Sequence, residues 1–371
     1  SRSVHPRRGA SLLPCCRTEG ILYGRDYMTE AIAASPFAVP AKTNLPYWLV
    51  YGVIVIAVIG INVFTRADYY ADFDAYVYYL DSLVHFPDLS VLYFEPLSNA
   101  YLLSAHWLTN SVLSAVVVAH YVLAIIFLLA LVRVFPPDRS SWQALLFTFA
   151  ILGPLLAFVT MRATPAYFLI AIGVTRALDR RPTAWLYLLV ASLFHISSLL
   201  AAGPMALVYF QRNLPRFLRS DRSRAFYAIL AFVIIAASAF IPNIRDTLLS
   251  IVQMFPAISK YAVYTDAEPE VINTGHYLFL GFIAGVTLAF LLMQEEEGRR
   301  LNIYVIASLV LYILLFFSAS PIAAFRQVPF WLMPMIAAFP WRRLAAKELL
   351  APLFALSCVG LFVFQLDQVY R

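Results

Sequence analysis

The sequence predicts an all-α fold: a polytopic integral membrane helix bundle with about eleven transmembrane helices. Three observations lead there. The chain is 62% hydrophobic and only 13% charged, with mean hydropathy +0.76, too little charge to cover the surface of a soluble protein of 371 residues. Apolar runs of roughly 15 to 25 residues recur from end to end. The loops between them alternate between basic and acidic, the pattern that orients helices in a membrane.

Taken in order, the apolar segments are 47–64, 111–134, 142–159, 163–178, 183–195, 197–211, 225–242, 276–293, 302–318, 328–341 and 348–365. No internal repeat or low-complexity linker interrupts them. The basic loops hold Arg133 with Arg139, Arg180 with Arg181, and Arg342 and Arg343 with Lys347. The strongest, 212–224, carries Arg212, Arg216, Arg219, Arg222 and Arg224 against Asp221. With the N-terminal tail, these belong in the cytoplasm. The acidic loops face outward: 66–95 with Asp68, Asp72, Asp74, Asp81, Asp88 and Glu95, and 243–275 with Asp246, Asp266, Glu268 and Glu270.

Parity constrains the middle. Residues 182–211 lie between two cytoplasmic loops, so they cross twice or not at all, yet two full spans need about 40 residues. A short or re-entrant helix pair near 183–211 is therefore expected, turning at His195-Ile196-Ser197-Ser198. Residues 96–110 open on Pro96, a good first-turn residue, and mix Leu97, Tyr101, Leu102 and Trp107 with Ser98, Asn99, Ser104 and His106. They read as an amphipathic helix at the outer interface. The expected organisation is a cytoplasmic tail over 1–44 and one transmembrane domain over 45–371, with outer loops 65–110 and 243–275. Met28 opens a more ordinary N-terminus than the basic stretch before it, so 1–27 read as an over-long gene start.

Several function classes fall away. The net charge of +6 is spread over short loops and serves orientation, so no nucleic-acid partner is expected. Cys15, Cys16 and Cys358 form no CxxC or Cys/His metal spacing and imply no disulfide framework; no cofactor is expected, although the acidic outer loop could hold a divalent cation. The lack of a soluble nucleotide-binding domain argues against a cytoplasmic glycosyltransferase.

The polar residues at membrane depth cluster on the outer side. Arg162 lies in FVTMRATPAYF, His195 in SLFHISS and Arg326 in SPIAAFRQVPFW; Asp72 and Asp74 begin the acidic loop and Glu95 closes it. Charged groups at such depth are costly and mark function. Each also has a structural reading: Arg162 and Arg326 can snorkel to headgroups, His195 can be a packing residue, Asp72 and Asp74 can be a solvated face, and Glu95 can cap the helix that starts at Pro96. His85, His106, His120 and His276 read as structural or interfacial. Two arginines suit a phosphate or pyrophosphate, which they grip bidentately without losing charge. Carboxylates in the same mouth can deprotonate a hydroxyl, and the outer tyrosines, Tyr76 and Tyr93 among them, suit sugar rings.

Five stretches, DFDAY from Asp72, YFEPLSNAYLL from Tyr93, MRATPAYFLIAIG from Met161, ASLFHISSLL from Ala191 and FRQVPFW from Phe325, resemble in order and spacing the Wzy/EpsG-type polysaccharide polymerases, membrane glycosyltransferases of bacterial surface-polymer assembly. The chain departs from that family at Ala163-Thr164-Pro165 and Pro329-Phe330, where the family often has Gln and Tyr. The resemblance implies a bacterial inner-membrane enzyme whose active site faces the periplasm. It would transfer a growing glycan from undecaprenyl-pyrophosphate to the next lipid-linked repeat unit. Arg162 and Arg326 would bind pyrophosphate, His195 would assist the leaving group or orient the acceptor, and Glu95, Asp72 or Asp74 would be the base. Tyr76 and Tyr93 would meet sugar. The implied partners are undecaprenyl-pyrophosphate-linked oligosaccharide, membrane lipid, a chain-length regulator and a flippase. The rival readings are a transporter or flippase of lipid-linked sugars, an O-antigen ligase-like glycosyltransferase, and a membrane acyltransferase, which the Arg/His/Arg set disfavours.

Overall fold

The computed structural model describes residues 44–85, 95–138, 140–216, 223–238, 274–318, 321–341 and 350–369. The expectations for the N-terminal tail, Tyr93 and most of 243–275 lie outside the described residues. The architecture is all-helical. Helices α1 (Leu45–Phe64), α2 (Phe73–His85), α3 (Pro96–Thr109), α4 (Val112–Val134), α5 (Trp142–Phe158), α6 (Ala163–Leu178) and α7 (Thr183–Phe194) form the first part. After a 3-10 turn over Ile196–Ala201 come α8 (Ala202–Tyr209), α9 (Arg224–Ser238), α10 (Thr274–Met293), α11 (Asn302–Ser318), α12 (Pro321–Phe325), α13 (Val328–Ala337) and α14 (Leu350–Val369).

Each apolar segment read from the sequence falls on a helix, with small shifts at the ends. Length divides them. Only α1, α4 and α10, among the described residues, are long and apolar enough to cross a membrane unaided. Helices α5, α6, α7, α9, α11 and α13 run 10–17 residues, or roughly 15–25 Å at 1.5 Å per residue. Polar or proline-bearing breaks cut them short: His195 between α7 and the 3-10 turn, and Arg326 between α12 and α13.

Helix α2 was not expected. Its acids made the segment read as an outer loop, but Phe73, Tyr76, Leu80 and Leu83 recur at helical spacing and are buried. They pack with Leu102 and Ala105 of α3 and Ala115, Val116 and Ala119 of α4 in a small core of their own.

The centre of the molecule is α6. Ala166, Tyr167, Ile170, Val174 and Ala177 are fully buried, and the helix packs against α4, α7, α8 and α13. Its closest neighbour is α7, where Gly173 sits at the crossing. A Cβ there would stand 3.2 Å from Tyr187 Cβ and 3.2 Å from Met205 Cε, so the absent side chain sets the helix spacing. Buried carbonyls left at breaks are met by side chains, as a dry interior demands. Thr164 Oγ1 donates to Leu156 O (2.9 Å), Ser98 Oγ to Phe194 O (2.6 Å) and Tyr167 Oη to Arg326 O (2.9 Å).

Candidate active site

Three breaks meet at one end of α6. Arg162 precedes α6, His195 ends α7 and Glu95 precedes α3. These residues are 67 and 100 positions apart in sequence, yet the Glu95 carboxylate touches both of the others. Oε1 accepts from His195 Nδ1 at 2.8 Å and from the Ile196 main-chain N–H at 3.2 Å, while Oε2 accepts from Arg162 Nη1 at 3.0 Å. Glu95 is 3% exposed and His195 8%, so the exchange takes place out of water. Arg162 is the open member, with 28% of its side chain accessible.

The capping role read for Glu95 is corrected. It occupies the N-cap position of α3 but makes no capping bond. Its backbone is left-handed, φ 55°, a conformation that costs a non-glycine residue about 1–2 kcal/mol. The turn directs the carboxylate away from its own helix and toward α6 and α7. Burial by itself would push the carboxyl up. The His195 hydrogen bond and charge, then Arg162 and the Ile196 amide, outweigh it and lower the group to about 2. Glu95 is therefore an anion whose lone pairs are already engaged.

The tautomer follows from the same contacts. Oε1 of an ionised carboxylate only accepts, so Nδ1 of His195 carries the proton. His195 Nε2 makes no hydrogen bond among the described residues. A buried carboxylate on Nδ1 and an available Nε2 make a positioned base.

Helix α2 supplies the other wall. The Arg162 guanidinium lies 4.6 Å from the Tyr79 ring centroid and 5.7 Å from that of Tyr76. The Tyr79 hydroxyl donates to Asn99 Oδ1 at 2.5 Å and also meets the Arg162 side chain. The Tyr76 phenol bonds the Arg162 main chain and lies in the fields of Arg162, Asp72 and Arg326. Arg326 also acts on the Tyr167 phenol, whose ring packs on Phe330 at 4.6 Å. Arg326 and Asp72 are thus near Tyr76. Asp74 points outward and is exposed.

The sequence groups Arg162, His195, Arg326, Glu95, Asp72, Asp74 and Tyr76 and places Tyr79 only among the outer tyrosines; Asn99 and the Ile196 amide were missed as parts of the site. A signal for Tyr79 exists: it follows Tyr76 by three residues, on the same face of a helix. The Ile196 amide carried none. Among the described residues no group of three His, Cys, Asp or Glu side chains could hold a metal ion.

The class is that of a helical membrane-type bundle in which a mostly buried carboxylate joins an arginine and a histidine beside two tyrosines. The sequence profile of the EpsG family matches residues 47–364, and the chain belongs to that family of Wzy-type polysaccharide polymerases. No curated protein and no solved structure matches it.

Proposed function

We propose that the protein polymerises lipid-linked oligosaccharide repeat units on the periplasmic face of the bacterial inner membrane. The donor is the growing glycan on undecaprenyl-pyrophosphate, and the acceptor is the next lipid-linked unit. The observation that carries this reading is the Glu95–His195 contact with Arg162 on the same carboxylate.

Glu95 holds His195 with Nδ1 protonated, so Nε2 takes the proton from an acceptor sugar hydroxyl. The hydroxyl oxygen then bonds to the anomeric carbon of the donor, the bond from that carbon to the pyrophosphate oxygen breaks, and undecaprenyl-pyrophosphate leaves with the electron pair. Arg162 and Arg326 stand where that charge gathers, and fixed cations in a water-poor site stabilise a developing anion more than the ground state. Tyr76 and Tyr79 hold the Arg162 guanidinium and offer ring faces to a sugar. The base role passes from Glu95 to His195, because a carboxylate already accepting three hydrogen bonds is a poor proton acceptor. Asp72, beside Tyr76, is the remaining carboxylate able to orient an acceptor hydroxyl.

The test is the surface polysaccharide and lipid-linked intermediates of a deletion strain carrying wild type, Arg162→Ala, His195→Ala or Arg326→Ala. Single repeat units on an externally exposed carrier, with polymer restored only by wild type, are expected. Full-length polymer in any two variants refutes the site. Repeat units held on the inner face would make the protein a flippase and the arginines a transport site.

A further inference from the structure

The far end of α6 carries a second basic feature that the polymerase chemistry does not use. Arg176 lies 14 residues along the helix from Arg162, about 21 Å away by helix rise. Beside it, α6 and α7 enclose a groove of about 550 Å³ whose lining includes Arg176 and Arg181 together with Leu169, Leu186, Tyr187 and Val190. The groove has two chemistries: guanidinium groups at the helix ends, and an apolar floor running inward between the helices.

The turn between α6 and α7 is what places both arginines there. The Arg181 N–H bonds Arg176 O at 2.9 Å and the Arg180 N–H bonds Ala177 O at 2.9 Å, the two bonds of a Schellman turn. Its left-handed position, normally glycine, is Arg180 with φ 55°. The chain reverses at once, so Arg181 returns beside Arg176. Neither guanidinium has a carboxylate partner among the described residues. The neighbouring acid, Asp179, is taken by Arg300 at 3.5 Å, and Arg300 also bonds the Leu178 carbonyl. Two arginines with no carboxylate partner among the described residues, opening on an apolar slot, suit an anion that carries its own hydrocarbon. Leu186, 58% exposed, continues the apolar floor onto that surface.

We infer that this groove binds the phosphate headgroup of an anionic phospholipid, in the leaflet opposite the Arg162 site, with the first part of an acyl chain between α6 and α7. Basic pockets between helices on the inner side suit such headgroups, and each arginine near an anionic lipid contributes about fivefold in affinity. The arginines supply the headgroup selectivity and the apolar floor supplies the discrimination against free phosphate.

The experiment is thermal unfolding of the full chain in a mild neutral detergent, with phosphatidylglycerol, phosphatidylcholine or inorganic phosphate added separately. Phosphatidylglycerol should raise the melting temperature of wild type, while phosphatidylcholine and millimolar inorganic phosphate leave it unmoved. Arg176→Gln and Arg181→Gln should each raise the half-saturating phosphatidylglycerol concentration about fivefold, and together about thirtyfold. Val190→Trp, which fills the floor and keeps both arginines, should abolish the lipid that wild type retains in native mass spectrometry. An equal shift from phosphatidylcholine, the same shift from inorganic phosphate, an unchanged titration in the double variant, or full lipid retention by Val190→Trp would each overturn the site. The readout is lipid binding, so loss of polymer in Arg162→Ala cells bears on the other end of α6 alone.

Discussion

Replacing Glu95 with Gln is the sharpest perturbation of the Arg162–Glu95–His195 network. The amide has the shape of the carboxylate but only one accepting atom. If its oxygen takes the place of Oε1, it satisfies His195 and Ile196 and points N–H groups at Arg162 Nη1. If flipped, it points them at the Ile196 amide and at Nδ1 of His195. Either way two donors face each other in a site where Glu95 is 3% exposed. Removing one partner of a buried ion pair costs about 3–5 kcal/mol, and the partial exposure of Arg162, 28% of its side chain, places this pair at the lower end. A carboxyl lowered from 4.5 to about 2 contributes about 3 kcal/mol, at roughly 1.4 kcal/mol per factor of ten in proton affinity.

The sign of the pH dependence follows. The folded-state value lies below the unfolded one, so the contribution is complete above pH 4.5 and fades as pH falls toward 2. Wild type should lose several degrees of melting temperature between pH 5 and pH 3, and Glu95→Gln should start lower and change less. Activity should fall about 10²- to 10⁴-fold, the usual contribution of a positioned base, since His195 loses the group that fixes its tautomer. The assay is scanning fluorimetry of purified protein across pH, paired with polymer length on gels. Glu95→Gln with wild-type polymer and a wild-type melting profile would refute the network as a working unit.

Three further outcomes are expected. Tyr79→Phe keeps the ring against Arg162 and removes the hydroxyl shared with Asn99, so polymer output should drop about fivefold to tenfold while stability changes by about 1 kcal/mol; an unaltered chain-length ladder would remove Tyr79 from the site. Tyr47→Phe deletes the buried Tyr47 Oη to Phe135 O hydrogen bond of 2.5 Å, which ties α1 to the end of α4; it should cost about 1–2 kcal/mol in melting experiments and leave polymer length untouched. Cysteines introduced at Ser90 and Asp266 should react with an impermeant maleimide in intact cells, and one at Arg219 only after permeabilisation. The reverse labelling would invert the orientation and place the candidate site in the cytoplasm.

The sequence by itself determined the helical class, the position of nearly every apolar helix, and a short list of polar residues too costly to be incidental. Burying a hydrocarbon-rich chain leaves few arrangements, and periodicity with charge asymmetry reads most of them. It also showed that 182–211 is too short for two full spans, and α7 does end at Phe194. Helix α2 was hidden because its exposed acids dominate the composition while its buried face, Phe73, Tyr76, Leu80 and Leu83, repeats at a helical period. What only tertiary structure decided is which polar groups meet. Glu95, Arg162 and His195 stand at the ends of three helices, 67 and 100 residues apart, and nothing local dictates that one carboxylate serves both partners. That choice follows from the left-handed turn at Glu95 and from the packing of α3 against α7 and of α6 against α7. A hydrogen bond reaches about 3 Å, so only the packed bundle can set which side chains come within it.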